Sequence, residues 1–416
     1  MRILLIHQFF LEDHDGGGSR WNEMSRMWTE AGHEITVLAG MTHYMGNKNT
    51  RYNGQYFNTS TNKDQVKVIR CFVSSNNKGF TSRILAFFSF VFSGIFGGLF
   101  YAREKYDVIL VTSPPLFVGI IALFLSWWKS IPFVFEVRDL WPESAIETDV
   151  LKNKNLIRFS YWFEGYVYKK AKLINVLTPA FQKTLIESKN VPAEKIICIP
   201  NGADFVFSEK LFTLFDPESF RKTHDLQDKF VITYVGAHGI ANHLIQILDT
   251  AALLTDTNVV FMLIGDGAQK QELIAEAFNR KLPNVRFINA VSKSEVFKHI
   301  LASDIGTSVL KKTEIFKTIY SNKTFDYFSC KKPVLMAIDG ISRQLVEVAD
   351  AGIFVEPENP VDFAEKIRFC LSNPEEVKRQ GENGYHHVKS HFDRNVLAKH
   401  YLSYIKNSVF GSDCLN

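Results

Sequence analysis

Lys323 and Asp326 stand one helical turn apart in the stretch Thr318–Leu335, TIYSNKTFDYFSCKKPVL. Ser321-Asn322-Lys323 offers a polar helix start. An anion held there would meet both the Lys323 ammonium and the positive end of the helix dipole, which suits a diphosphate. Asp326 adds an acid to the same stretch. The same residues also fit a plain helix capped by Ser321 with a solvated lysine. Upstream, Val231–Gly236 (VITYVG) and Val259–Gly265 (VVFMLIG) are apolar runs that end in glycine, each followed by a helix-like segment. A further buried strand is predicted at Pro333–Met336. That order is a doubly wound α/β half, whose ligands lie beyond the carboxyl ends of the strands.

The elements that must position these residues follow from the apolar periodicity. The second half predicts strands at Val231–Val235, Val259–Ile264, Val285–Ile288, Ile305–Val309, Val334–Ala337 and Gly352–Val355. Helices such as Ile245–Leu254 and Gln269–Arg280 lie between them. The first half repeats the rhythm, with strands at Ile3–His7, Ile35–Leu38, Val66–Phe72, Val108–Thr112, Phe133–Val137, Leu173–Val176 and Ile196–Ile199. Helices are predicted at Ser19–Ala31, Leu116–Trp128 and Asn155–Lys170, and long loops at Tyr44–Lys63 and Arg138–Val150. Pro200-Asn201-Gly202 reads as a turn and hinge. The fold class is therefore α/β, with two Rossmann-like domains facing a central cleft. The expected domains are 1–203, 204–390 and a C-terminal helix within 391–416 that packs back on the first domain.

Composition sets limits. The chain has 416 residues, 46% hydrophobic and 22% charged, enough for large cores. A net charge of +4 without a long basic stripe argues against a nucleic-acid partner. Cys71, Cys198, Cys330, Cys370 and Cys414 are scattered, with no zinc-type spacing. Asp13-His14-Asp15 could be weighed as a metal-binding acid pair, but it lies in the first glycine loop and not on a donor strand, so no metal is expected.

Gly16-Gly17-Gly18, Ile199-Pro200-Asn201-Gly202-Ala203-Asp204, Tyr234-Val235-Gly236, Leu263-Ile264-Gly265-Asp266-Gly267 and Lys332-Pro333-Val334 occur in an order and spacing that resembles glycosyltransferase family 4. That family has the GT-B fold and retains anomeric configuration. Phe133–Ser144 (FVFEVRDLWPES) resembles the branch that adds amino sugars such as N-acetylfucosamine in O-antigen or capsule synthesis. The resemblance implies a UDP-sugar donor on the C-terminal domain and an undecaprenyl-diphosphate-linked saccharide acceptor on the N-terminal one, at the cytoplasmic face of the inner membrane. It covers nearly the whole chain.

Residue by residue, the resemblance places the donor at Gly16, Gly17, Gly18, Gly236, Gly265, Asp266, Val291, Glu295, Lys317, Ser321, Asn322 and Asp326. The acceptor side would use His14, His43 and Glu143. The histidine usual near the reacting sugar aligns with Arg138, followed by Asp139, so these two join Lys323 as catalytic candidates. The chain departs from the family where a basic pair is usual, at Ala237 and Asn242, and where a glutamate is usual, at Thr318. Lys323, and after it Lys317, would then neutralise the diphosphate. Glu295 also fits a helix-capping box with Ser292.

Ile84–Ala102 carries no charge over nineteen residues and is flanked by Arg83 and Arg103. It is long enough to span a bilayer, yet a span inside an α/β domain would break the sheet. The expectation is a segment lying on the membrane surface, weakened as a soluble helix by Gly94, Gly97 and Gly98. A buried core helix is the alternative. An epimerase acting on UDP-N-acetylglucosamine on the same fold, or a membrane scaffold, are the competing functions.

Overall fold

The structure, a computed structural model, describes residues 1–13, 15, 20–42, 50–74, 80–147 and 151–411, with backbone only at 80, 81, 83 and 207. The chain forms two compact units, Met1–Pro200 with Asn395–Asn416, and Asn201–Arg394. The division falls at Pro200, before the expected boundary, because Ala203 bridges to Asp393 and donates to the Phe392 carbonyl at 2.9 Å.

Unit 1 holds an eight-stranded sheet. Its strands are β1 (Arg2–Ile6), β2 (Glu34–Gly40), β3 (Phe57–Thr61), β4 (Lys67–Cys71), β5 (Val108–Ser113), β6 (Phe133–Val137), β7 (Leu173–Val176) and β8 (Ile196–Cys198). The order is β3-β4-β2-β1-β5-β6-β7-β8. All pairs are parallel except β3 with β4. Strand β3 lies inside the predicted loop at Tyr44–Lys63. Its sequence, FNTST, gives no apolar signal because an edge strand with exposed side chains buries little.

The helices of unit 1 are α1 (Arg20–Glu30), α2 (Phe80–Phe100), α3 (Val118–Lys129), α4 (Glu143–Glu147), α5 (Lys154–Lys170) and α6 (Pro179–Glu187). A final helix, Arg394–Phe410, also belongs here. Its Leu397, Tyr401 and Ile405 share one core with Trp21 and Trp28 of α1 and with Ile3, Val37, Leu110 and Val134 of the sheet. Trp28 Nε1 donates to the Ala398 carbonyl at 2.9 Å. Strand residues that alternate with these point to the other face. There Leu38 and Cys71 meet α2, and Phe135 meets α3.

Helix α2 is seated on that second face. A Cβ at Gly98 would fall 2.3 Å from Leu125 of α3, and one at Gly94 would fall 2.6 Å from Ile121. The glycines therefore let α2 close on its neighbour, which corrects their reading as weak points. Phe90 and Val91 are buried, whereas Leu85, Phe92, Phe96 and Phe100 form an exposed stripe. Among the described residues no helix is long and apolar enough to cross a membrane.

A buried polar network closes the carboxyl end of this sheet. Arg20, the first residue of α1, donates to the carbonyls of Pro200 (2.7 Å) and Ile199 (2.9 Å) and to Glu136 (3.1 Å). Glu136 also accepts from Thr112 and Asn175. A buried ion pair survives only with such full hydrogen bonding.

Unit 2 holds a six-stranded parallel sheet of β9 (Phe230–Val235), β10 (Val259–Ile264), β11 (Val285–Ile288), β12 (Ile305–Val309), β13 (Val334–Ala337) and β14 (Gly352–Phe354). The order is β11-β10-β9-β12-β13-β14. The direction of winding reverses between β9 and β12, which marks the carboxyl ends of those strands as the ligand crevice. The helices are α7 (Phe205–Leu214), α8 (Pro217–Thr223), α9 (Ile245–Ala252), α10 (Lys270–Asn279), α11 (Lys293–Leu301), α12 (Asn322–Ser329), α13 (Ile341–Ala349), α14 (Pro360–Ser372) and α15 (Pro374–His391), followed by the chain's last helix, α16.

Candidate active site

In unit 2 the site is built around the two glycine turns. Gly236 follows β9 and Gly265 follows β10, each at φ +149°. A Cβ at Gly265 would stand 1.9 Å from the Gly236 carbonyl oxygen, so only glycine lets the two turns meet. Asp266 next to it is exposed, and its carboxylate accepts from the Gly267 amide at 2.8 Å.

Lys323 reaches this rim from the first turn of α12. Its Nζ lies 4.8 Å from the centroid of the Tyr234 ring, and its Cε would be 3.3 Å from a Cβ on Gly236. Among the described residues the ammonium has no hydrogen bond and no ion pair. Burial pushes it down to about 8, against the pull of Asp326. Burial likewise pushes the Asp326 carboxyl up to about 6, with Lys293 opposing, Asp204 adding, and Lys323 opposing. A half-buried cation and acid with no hydrogen bond or ion pair of their own among the described residues make a candidate functional site.

The neighbouring candidates are spoken for differently. Ser321 precedes α12, but its hydroxyl bonds to Ser308 and does not cap the helix. Its amide donates to Ser342 Oγ at 3.0 Å. Asn322 Oδ1 accepts from Asn201 at 2.5 Å. Lys317 is paired with Glu314 at 2.7 Å and lies 3.8 Å from Asp339. Val291 is partly buried in the turn after β11. Ser292 caps α11 through the Glu295 amide, and the Glu295 carboxylate pairs with Lys298 at 2.6 Å.

Two residues at this rim had no sequence signal. Lys270 is buried and donates to the carbonyls of Gly265 (2.8 Å) and Ile288 (3.2 Å) and to Asn289 Oδ1 (2.7 Å). It ties the ends of β10 and β11 together. His238 is fully buried with both ring nitrogens unpartnered. Burial, and then the Lys270 charge, lower its pKa to about 4, with Asp266 opposing, so the ring is neutral at pH 7. Only tertiary packing reveals either role, because neither belongs to a spaced motif.

In unit 1 the winding reverses between β1 and β5. His7 and Gln8 follow β1; both are buried, and among the described residues His7 Nδ1 and Gln8 Oε1 have no hydrogen-bond partner. Arg138 follows β6, and its guanidinium has no hydrogen-bonded or ion-paired acceptor among the described residues. Burial lowers its pKa although Glu136 opposes. Burial also holds His7 well below its ordinary value, reinforced by Arg138 and Arg70. Asp139 accepts from Ser144 at 2.8 Å, and burial pushes it up to about 6. Glu143 opens α4, a helix within the predicted loop Arg138–Val150, and pairs with Lys189 at 2.8 Å. Gly16, Gly17, Gly18, His14 and His43 lie outside the described residues. Among the described residues no group of three or more His, Cys, Asp or Glu could hold a metal ion.

Two family models match this architecture. Residues 15–202 match the glycosyl transferase 4-like domain, and residues 216–387 match the glycosyl transferases group 1. A putative colanic acid biosynthesis glycosyl transferase of Escherichia coli K12, WcaI, is 24% identical over 69% of this chain and 71% of its own length. The probable glycosyltransferase WbjE of Pseudomonas aeruginosa is 23% identical over 82% of each chain. The crystal structure of Anabaena HepE in complex with UDP-glucose superposes with a TM-score of 0.72 at 16% identity, over 98% of this chain and 100% of that one. The chain is a glycosyltransferase of the GT-B fold, a 4-like domain followed by a group 1 domain.

Proposed function

We propose that the protein transfers a sugar, an N-acetylated amino sugar, from a UDP-sugar to an undecaprenyl-diphosphate-linked saccharide, with retention of configuration. The setting is O-antigen or capsule synthesis at the cytoplasmic face of the inner membrane. The observation that carries the donor half is Lys323, an ammonium on the glycine rim over the Tyr234 ring, with no hydrogen bond or ion pair among the described residues. A UDP diphosphate would supply the missing negative charge. Its departure from the sugar would be stabilised electrostatically by Lys323 and by the amides that open α12. Asp326 would accept the ribose hydroxyls. HepE, solved with UDP-glucose, and WcaI, named for colanic acid biosynthesis, support a sugar nucleotide and a surface polysaccharide.

In unit 1, Arg138 has no hydrogen-bonded or ion-paired acceptor among the described residues, and it would contact the reacting sugar or the acceptor, with Asp139 beside it. No side chain is assigned as a covalent nucleophile; positioning and charge stabilisation do the chemistry. UDP release, measured with and without the lipid-linked acceptor, tests this reading. Acceptor-dependent release that survives EDTA is expected. Epimerisation of the UDP-sugar without any acceptor would replace it, and loss of turnover in EDTA restored by magnesium would bring Asp13 and Asp15 back as metal ligands.

A further inference from the structure

The second face of the unit 1 sheet is covered by α2, α3 and α5, and their outward sides are aromatic. Trp127 and Trp128 at the end of α3 are 72% and 61% exposed, Trp162 of α5 is 62% exposed, and Phe96 of α2 is 54% exposed. These side chains group by stacking among themselves. Phe96 stacks on Phe100, Phe124 on Trp128, and Trp162 on Tyr166. Helices flanking a Rossmann-type sheet ordinarily turn a polar side to solvent. An exposed apolar surface that continues over three adjacent helices marks an interaction site.

The charges around it are mainly basic, and the one acid between Arg103 and Lys105, Glu104, is paired with Lys67 at 2.5 Å. Helices α2 and α3 contain no Asp or Glu. The single acid of α5, Glu164, is buried and paired with Lys189 at 2.6 Å. Arg103, Lys105, Arg158, Lys169 and Lys170 are exposed at the helix ends and flanks. Lys129 donates to the Ala102 carbonyl at 2.8 Å, so the ends of α3 and α2 lie together at the basic rim. Tryptophan and tyrosine with basic neighbours suit the headgroup layer of a bilayer. A second copy of this chain would bring the same basic residues against each other, and the three helices themselves offer no exposed acid to meet them.

We infer that the aromatic face of α2, α3 and α5 is a docking surface for an anionic lipid bilayer, with Trp127, Trp128 and Trp162 at the headgroup layer. The inference rests on the lipid-linked acceptor proposed above and extends the docking element from the segment 84–102 to two further helices. The surface lies on, and does not cross, the leaflet.

Flotation of the full chain with phosphatidylglycerol-containing vesicles, and with neutral phosphatidylcholine vesicles, tests it. The chain is expected to float with the anionic vesicles, and brominated lipid should quench its tryptophan fluorescence. The variant carrying Trp127→Ser, Trp128→Ser and Trp162→Ser should lose partitioning by roughly tenfold or more. Its affinity for UDP in vesicle-free buffer should not change, which also shows that it is folded. Arg158→Glu with Lys169→Glu and Lys170→Glu should weaken binding to anionic vesicles only, as added salt should. No flotation, or flotation unaltered by the tryptophan variant, would overturn the assignment. A dimer that the tryptophan variant dissociates would give the face to a second copy instead. Loss of UDP binding by the wild-type chain would strike the donor reading and leave this surface standing.

Discussion

The helices of the two units meet solvent in opposite ways. In unit 2 the outer faces are laced with ion pairs: Arg280 with Asp249 and Glu276, Arg368 with Asp256, and Arg379 with Asp350 and Glu376. In unit 1, α2, α3 and α5 present rings and basic ends, and none of these three helices carries an exposed acid. Within unit 2 the contrast repeats on a smaller scale. Arg280, Arg368 and Arg379 find carboxylates, while Lys323 at the strand ends has none within ion-pair distance among the described residues. Polar groups are self-satisfied where the protein only meets water. They are left open where it must meet something else.

The sharpest way to break this contrast is to deform the rim that leaves Lys323 open. Gly265→Val should cost several kcal/mol, on the order of 4, because its Cβ would collide with the Gly236 carbonyl at a φ that disfavours any side chain. Chemical denaturation would show the loss, and UDP binding should disappear with it. Lys323→Ala should leave the fold intact and weaken UDP binding by roughly ten- to hundredfold, the cost of about 1.5–3 kcal/mol for one charge-assisted hydrogen bond. Calorimetric titration with UDP decides, and an unchanged affinity would remove Lys323 from the site.

Asp326→Asn should separate stability from function. The folded carboxyl has a pKa of about 6, above its ordinary 3.8, so the folded state holds the proton more tightly. The resulting stability is fully present below about pH 4 and is lost as pH rises through 6. The neutral asparagine escapes that loss. The variant should therefore match wild type near pH 4 and exceed it above pH 6 by up to about 3 kcal/mol, while binding UDP less well. Thermal melts across that pH range measure it, and no gain at pH 7.5 would contradict it. The smallest effect belongs to the satisfied surface. Arg280→Ala should change stability by no more than about 1 kcal/mol and leave UDP affinity alone.

Most of the sheet was legible in the sequence because its strands are buried on both faces and read as unbroken apolar runs. Val231–Val235 and Val259–Ile264 are examples, and both lie within strands β9 and β10. Strand β3 was not legible, since FNTST at an edge buries too little to leave a pattern. In helix α15 the glycines at 381 and 384 are points of close approach, to the Lys331 carbonyl and to Phe328, and only the packed structure shows that. At the site, Lys323 and Asp326 could be found from their place after a strand and at a helix start. His238 and Lys270 could not. Their meaning depends on backbone carbonyls and a buried ring environment assembled from β9, β10 and β11, and no local spacing encodes that.

The glycine-lined seating of α2 bears on how the chain is made. Its sheet contacts are to β2 and β4, and both precede it in sequence, whereas α3 follows. During synthesis from the N-terminus, the strands that receive its inner side have emerged before the helix itself. This long apolar helix thus has a docking place waiting at birth, with Leu38 and Cys71 opposite Gly97.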